Sequence, residues 1–156
     1  MAVGLGFDIH RLVPNRPLVL GGVEIPFPLG LLGHSDGDAV LHAVTDALLG
    51  AVGRGDIGQW FPDTDPETEN ISSRTMLQRV MEEMEKEWTV VNVDITVVAE
   101  EPKIAPHREA MKACISAVLN TDRVSIKGKT MERLGAIGNR EAIAAYAVIE
   151  LSERKS

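Results

Sequence analysis

Residues 31–53, LLGHSDGDAVLHAVTDALLGAVG, decide the class of the fold. Val40, Leu41, Val44, Ala47, Leu48 and Ala51 recur at helical spacing, which predicts an amphipathic helix. Ser35 and Asp38 have the spacing of a capping box, with Asp in place of the usual Glu or Gln. Gly53 supplies a stop. The flanks read differently. Residues 2–10 are short, apolar and glycine-broken, as a buried first strand would be. PLVLGGVEIP (17–26) reads as two short strands joined at Gly21-Gly22, a hairpin signal.

Downstream, RGDIGQWFPDTDPETENIS (54–72) loses periodicity and predicts a long polar loop, of the kind that carries function or moves. Helix resumes from Ser73 to about Trp88, and VVNVDITVVAE (90–100) follows as a strand alternating at Val91, Val93, Ile95 and Val97. Pro106 opens a further helix, consistent with proline in a first turn. VSIK (124–127) is a short strand and KTMERLGAIGN (129–139) bears turns. EAIAAYAVIEL (141–151) mixes alanine with β-branched residues; a strand is expected for its end. The order predicts a single α/β (α+β) domain over 1–156, a mixed sheet with helices on one face in ferredoxin-like-type layers.

The net charge of −7 argues against a nucleic-acid partner, which would need a concentrated basic face. It also means that a phosphorylated ligand would be repelled unless cations reverse the local field. Cys114 is the single cysteine, so no intramolecular disulfide forms, which suits a reducing compartment. No apolar run approaches the roughly 20 residues of a membrane span, and no signal peptide is visible. A cytoplasmic location is expected, with earlier removal of a plastid-type targeting segment left open.

Asp8 and His10 are two apart on a predicted strand, so their side chains share a face. His42 lies in the first helix, one turn after Asp38 and one before Asp46. If that helix packs beside the strand, the three make a His₂Asp set, and three protein ligands with an open fourth position is how a catalytic zinc site is built. An aspartate on a neighbouring turn would then hold the outer imidazole nitrogen. Equally, Asp8 fits a turn residue and His42 a hydrogen-bonded helix histidine. His34 and Ser35 stand at a helix entrance, where free N–H groups suit a phosphate and where Ser35 also fits a plain cap. Asp56 and FPDTDP (61–66) hold carboxylates suited to Mg²⁺ or sugar hydroxyls, or to an Asx-rich turn. Lys103, Lys127, Lys129, Thr130 and Glu132 fit a phosphate and a second cation, or a solvated strand end.

Together GFDIHRL (6–12), GLLGHSDGDAVLHAVTDALLGA (30–51), GDIGQWFPDTDP (55–66), NVDITVVAEEPKIAPH (92–107) and KGKTMERLGAIG (127–138) resemble the 2-C-methyl-D-erythritol 2,4-cyclodiphosphate synthase family, in order and over nearly the whole chain. The resemblance implies closure of a cyclic diphosphate from a cytidine-diphosphate-linked substrate by attack of its own 2-phosphate, with release of CMP. It implies Zn²⁺ on Asp8, His10 and His42, and a Mg²⁺ or Mn²⁺ helped by Glu132. His34 and Thr130 would steady the transition state. Substrate contacts would come from Asp8, Ile9, His10, His34, Ser35, Asp56, Ile57, Gly58, Phe61, Pro62, Asp63, Thr64 and Asp65. On the cytidine side they would come from Ala99, Glu100, Glu101, Pro102, Lys103, Ile104, Ala105, Lys129, Thr130, Met131 and Glu132. A homotrimer with inward-facing sheets and active sites between neighbours is implied as well. Two positions depart from the pattern. Lys129 stands where threonine is common, and NREAIAA (139–145) replaces R-G-E-G-I, so no anion-binding role passes to Asn139. A zinc hydrolase releasing a linear phosphate, and a non-catalytic nucleotide or metal-binding module, are the competing readings.

Overall fold

Asp38 joins the first helix to the hairpin that precedes it. In the computed structural model, which describes residues 1–154, α1 spans Ala39–Ala51 and the hairpin strands are β2 (Leu18–Leu20) and β3 (Val23–Ile25). The Asp38 carboxylate accepts from Val40 N–H and Leu41 N–H at 3.1 and 3.0 Å, and from Gly21 N–H and Gly22 N–H at 2.9 and 2.7 Å. Four backbone donors offset part of the cost of taking this fully buried carboxylate out of water. Asp38 is therefore the cap, and the capping box expected from Ser35 does not form. The chain turns at Gly37 with φ +73°, so helix geometry starts only beyond it. The stop at Gly53 is as expected, with φ +67° just after the last turn.

Five strands form the main sheet in the order β4-β1-β7-β5-β6, with β1 at Ala2–Pro14, β4 at Leu29–Leu31, β5 at Trp88–Val98, β6 at Val124–Lys129 and β7 at Ala142–Glu153. β7 runs antiparallel between β1 and β5, while β5 and β6 pair in parallel through α4 (Arg108–Leu119). The sheet is thus mixed, and the ambiguous stretch 141–151 is strand almost throughout. β4 was not foreseen, because three residues are too few to show alternation. In β5 a bulge between Val90 and Asn92 shifts the phase, so Val90 is buried in place of Val91.

Three long helices cover one face. α1 lies on β1 and β7, α3 (Ser73–Met84) beside α1, and α4 beside α3 and β6. α3 ends four residues short of Trp88, which instead opens β5. The expected loop 54–72 contains two short turns of its own, α2 (Ile57–Trp60) and a 3-10 turn at Pro66–Thr68, each capped by the aspartate before it, Asp56 and Asp65. A last short helix, α5 (Gly135–Gly138), precedes β7.

α1 sits unusually close to β1. A Cβ on Gly4 or Gly6 would come within 1.8 Å of the Ala47 or Ala43 carbonyl oxygen, so only glycine fits there. The opposite sheet face carries Val3, Leu5, Phe7, Ile9, Tyr146 and Val148, all exposed. No helix among the described residues is long and apolar enough to cross a membrane.

Candidate active site and metal centre

The even-numbered residues of β1 face the helices: Gly4 and Gly6 are buried under α1, and Asp8 and His10 follow on the same face beyond its end. His42, on the first turn of α1, meets them there. Asp8 Oδ2 lies 2.8 Å from His10 Nε2 and 3.0 Å from His42 Nδ1, and the two nitrogens are 3.2 Å apart. These three are the only group of that kind found among the described residues. Glu132 is not part of it; it stands after β6 with φ +51°, where its carboxylate accepts from the Thr130 hydroxyl at 3.2 Å.

The outer partners of the imidazoles decide whether a cation fits. His10 Nδ1 is 2.6 Å from the Leu32 carbonyl oxygen, so that nitrogen donates and Nε2 is left with its lone pair in the neutral ring. His42 Nε2 lies 2.9 Å from Ser73 Oγ and 3.1 Å from Ser35 Oγ. Ser73 gives its hydroxyl hydrogen to Asp36, so the His42 Nε2–H donates to Ser73 and Nδ1 faces Asp8 as a lone pair. Three lone pairs converging on one point need a positive charge between them. Their separations are a few tenths of an ångström under the about 3.3 Å edge of a tetrahedral zinc site with ligand bonds of about 2.0–2.1 Å. The donor set fits a divalent metal. The outer nitrogen of His42 thus meets serines and not the expected aspartate, Asp38 or Asp46. Asp38 is spent on four N–H groups, and Asp46 accepts from Ile57 N–H at 2.8 Å.

The same geometry shifts the local charges. Burial works against the Asp8 charge, yet its hydrogen bonds with His10 and His42 and their attraction outweigh it, holding this carboxyl well below the usual carboxylate range. Burial pushes His10 down, and the bond and charge of Asp8 push it back above its ordinary value. Any proton held between these groups competes with a cation for the same place. Burial raises Asp46, opposed by the Ile57 bond and reinforced by the charges of Asp56 and Asp8.

Around the triad is a cavity of about 270 Å³ lined also by Gly33, His34, Ser35, Ile57, Gly58, Phe61, Asp63, Thr68 and Met76. His34 points into solvent 3.7 Å from Asp63. Ile9 faces the other side of the sheet, and Asp56, Pro62, Thr64 and Asp65 shape the loop without lining this cavity. A second cavity of about 200 Å³ is lined by Ala99, Glu100, Pro102, Lys103, Ile104, Ala105, Lys129 and Thr130, together with Gly128 and Arg108. Glu101, Met131 and Glu132 stand outside it, and Glu101 pairs with Arg140 at 3.1 Å. The two cavities share no residue of the chain.

Gly33, Thr68, Met76, Ser73, Asp36 and Arg108 also stand at the cavities or behind the triad, with no motif in the sequence to mark the first five. One signal was available for Arg108. A cation on the first turn of a helix opposes the macrodipole, which is a reason to look for an anion nearby.

The YgbB family model matches residues 1–152. The chain is 58% identical over 149 residues to the 2-C-methyl-D-erythritol 2,4-cyclodiphosphate synthase of Dechloromonas aromatica (strain RCB), covering 94% of this chain and 93% of that one. It is 55% identical to the synthase of the same name from Symbiobacterium thermophilum, covering 99% of this chain and all of the other. The structure of the Plasmodium falciparum IspF–CDP complex superposes with a TM-score of 0.87 at 39% identity, over 99% of this chain and 97% of that one. The chain accordingly belongs to the YgbB family, together with the relatives that carry the name 2-C-methyl-D-erythritol 2,4-cyclodiphosphate synthase.

Proposed function

We propose that the chain converts 4-diphosphocytidyl-2-C-methyl-D-erythritol 2-phosphate to 2-C-methyl-D-erythritol 2,4-cyclodiphosphate and CMP, as a phosphorus–oxygen lyase. An oxygen of the 2-phosphate forms a bond to the β-phosphorus, and the bridge from that phosphorus to the α-phosphate breaks. The electron pair leaves on the α-phosphate oxygen of CMP. No enzyme nucleophile is required, so the protein's part is charge neutralisation and positioning. The observation that carries this reading is the convergence of Asp8, His10 and His42 on one point at a cavity beside His34 and Ser35.

Asp8, His10 and His42 would hold Zn²⁺, and Glu132 would help hold Mg²⁺ or Mn²⁺. When bound, these ions polarise the attacked phosphate and offset the charge of the diphosphate. Around them His34 and Thr130 donate to the phosphates, with Ser35 beside His34 at the helix entrance. Ile57 and Gly58 present backbone to the sugar hydroxyls, and Asp56 and the loop Phe61, Pro62, Asp63, Thr64 and Asp65 enclose them. The cavity from Ala99 to Ala105 takes the cytosine, through Glu100, Pro102, Lys103 and Ile104. Lys103, Arg108 and Lys129 counter the phosphate charge that the acidic chain would otherwise repel. Ile9, Glu101 and Met131 support these contacts from neighbouring backbone.

A homotrimer completes the site. The exposed apolar face of Val3, Leu5, Phe7, Ile9, Tyr146 and Val148 would be buried against copies of itself, with one protomer's triad cavity facing a neighbour's cytidine cavity. The enzyme would work in the cytoplasm, without nucleic acid or membrane as partner. Phosphorus NMR of the metal-loaded protein with the phosphorylated cytidyl substrate tests the reading. Two coupled diphosphate signals of a cyclic product, appearing with equal CMP, are expected. A linear phosphate would establish a hydrolase, and binding without turnover a nucleotide-binding module.

A further inference from the structure

Ser73 opens α3, but it does not cap it. That task belongs to Ser72, whose side chain accepts from Thr75 N–H at 3.1 Å. The Ser73 side chain is fully buried and turned the other way. Its backbone N–H donates to Asp36 Oδ2 at 3.1 Å and its hydroxyl donates to Asp36 Oδ1, so one carboxylate grips the residue twice. With its hydrogen committed, Ser73 Oγ offers only lone pairs to His42 Nε2, 2.9 Å away.

We propose that Asp36 and Ser73 are a positioning pair for the metal centre: they hold His42 in the tautomer whose Nδ1 lone pair faces the ion, and they fasten that hold to the end of the 54–72 segment. This rests on the reading of Asp8, His10 and His42 as metal ligands. Ser35 cannot do the same work. Its hydroxyl accepts from Gly37 N–H at 3.2 Å but keeps a hydrogen free, so at 3.1 Å from His42 Nε2 it suits either tautomer and selects neither. Only an oxygen whose hydrogen is already given away imposes the choice, and Asp36 is what takes it.

The pair also joins two pieces of chain 37 residues apart. Asp36 accepts from Asp38 N–H at 3.2 Å, in the turn that leads into α1, while Ser73 closes the acidic segment. Close by, Asn70 N–H donates to the His34 carbonyl oxygen at 3.1 Å. The segment that carries Asp56 and the FPDTDP loop is therefore anchored at the imidazole that would bind metal.

The test is zinc affinity, measured by competition with a chromophoric chelator, with the visible spectrum of the cobalt-substituted protein as second readout. Ser73→Ala should weaken zinc by roughly 10–100-fold and alter the cobalt bands, the usual consequence of losing the outer partner of a ligating histidine. Asp36→Asn, which sets a donor against the Ser73 N–H, should weaken zinc in the same direction. Ser72→Ala should lower the melting temperature through the lost cap and leave zinc affinity unchanged. Wild-type affinity and cobalt bands in Ser73→Ala would overturn the inference alone. Zinc binding by His42→Ala as tight as wild type would overturn the metal-centre reading and the inference with it.

Discussion

The α-carbon of Gly6 lies so near the carbonyl oxygen of Ala43 that a methyl group there would come within 1.8 Å of it. Two residues after Gly6 comes Asp8, and one residue before Ala43 comes His42, so the contact that seats α1 on β1 also sets the spacing of the triad. Gly6→Ala must push α1 outward. We expect a loss of about 1–3 kcal/mol from overpacking, together with weaker zinc binding, read from thermal melts with and without added metal. A variant that melts lower but binds zinc like the wild type would break the link between the two.

Metal binding should release protons. In the metal-free protein His10 has its pKa raised above 6.5, so below and around that pH its Nε2 carries a proton where the ion must sit. Zinc titration at pH 6.5, by calorimetry in buffers of different ionisation heat, is expected to show release that fades as pH rises past the folded-state value. A buffer-independent heat would count against it.

The pH dependence of metal-free stability has a definite sign. His10, raised in the fold, contributes stability that is complete below 6.5 and lost as pH rises through its folded value. Asp8, held below 3.8, contributes stability that is complete above 3.8 and lost as pH falls further. Burial, reinforced by the Asp36 charge, pushes Asp38 up to about 6 against its bonds from Gly22, Leu41 and Gly21, so its contribution is complete below 3.8 and fades as pH rises through about 6. Denaturant titrations of chelator-treated protein should therefore show stability falling from pH 4 towards neutrality, and dropping again below 3.8. Zinc should reverse the loss near neutrality.

Asp38→Asn removes one acceptor oxygen and sets an amide donor against backbone N–H groups at the joint of hairpin and helix. About 1–3 kcal/mol of stability should be lost for the unsatisfied buried donors, seen as a lower denaturation midpoint. An unchanged midpoint would mean that water can replace the carboxylate there.

Among the described residues nothing hydrogen-bonds the buried Arg108 Nε, and the residue lines the cavity that takes the cytosine of the nucleotide in the proposed function. Arg108→Ala should weaken CDP binding by roughly tenfold, the scale of one hydrogen bond to a charged group. Calorimetric titration of CDP into wild type and variant, with zinc affinity as a control, decides it.

Leu5 is 67% exposed in the middle of the apolar sheet face. Leu5→Glu should leave the helical layer folded, by circular dichroism, and yield monomers in sedimentation with turnover lost. A wild-type chain sedimenting as a monomer would remove the trimer from the proposal.

Local signals were enough for the elements that repeat. The period of Val40, Leu41, Val44, Ala47 and Leu48 marked α1, Gly21-Gly22 marked the hairpin, and the two-residue offset of Asp8 and His10 put both on one face of β1. Each depends on residues that are neighbours along the chain, so the chain alone determined them. The partners of these elements lay beyond that reach. Asp38, and not Ser35, caps α1 because the hairpin brings two more N–H groups to it from 16 and 17 residues away. Ser73 and Asp36, and not a neighbouring aspartate, hold His42 because α3 packs beside α1. Such choices follow from which buried polar groups find a donor or acceptor across elements, and no local pattern of residue types encodes that. Residue type and spacing made Asp8, His10 and His42 a possible ligand set, on the condition that α1 packs beside β1. That condition is met across elements, where Gly4 and Gly6 let the helix touch the strand and so bring Asp8 within 3.0 Å of His42.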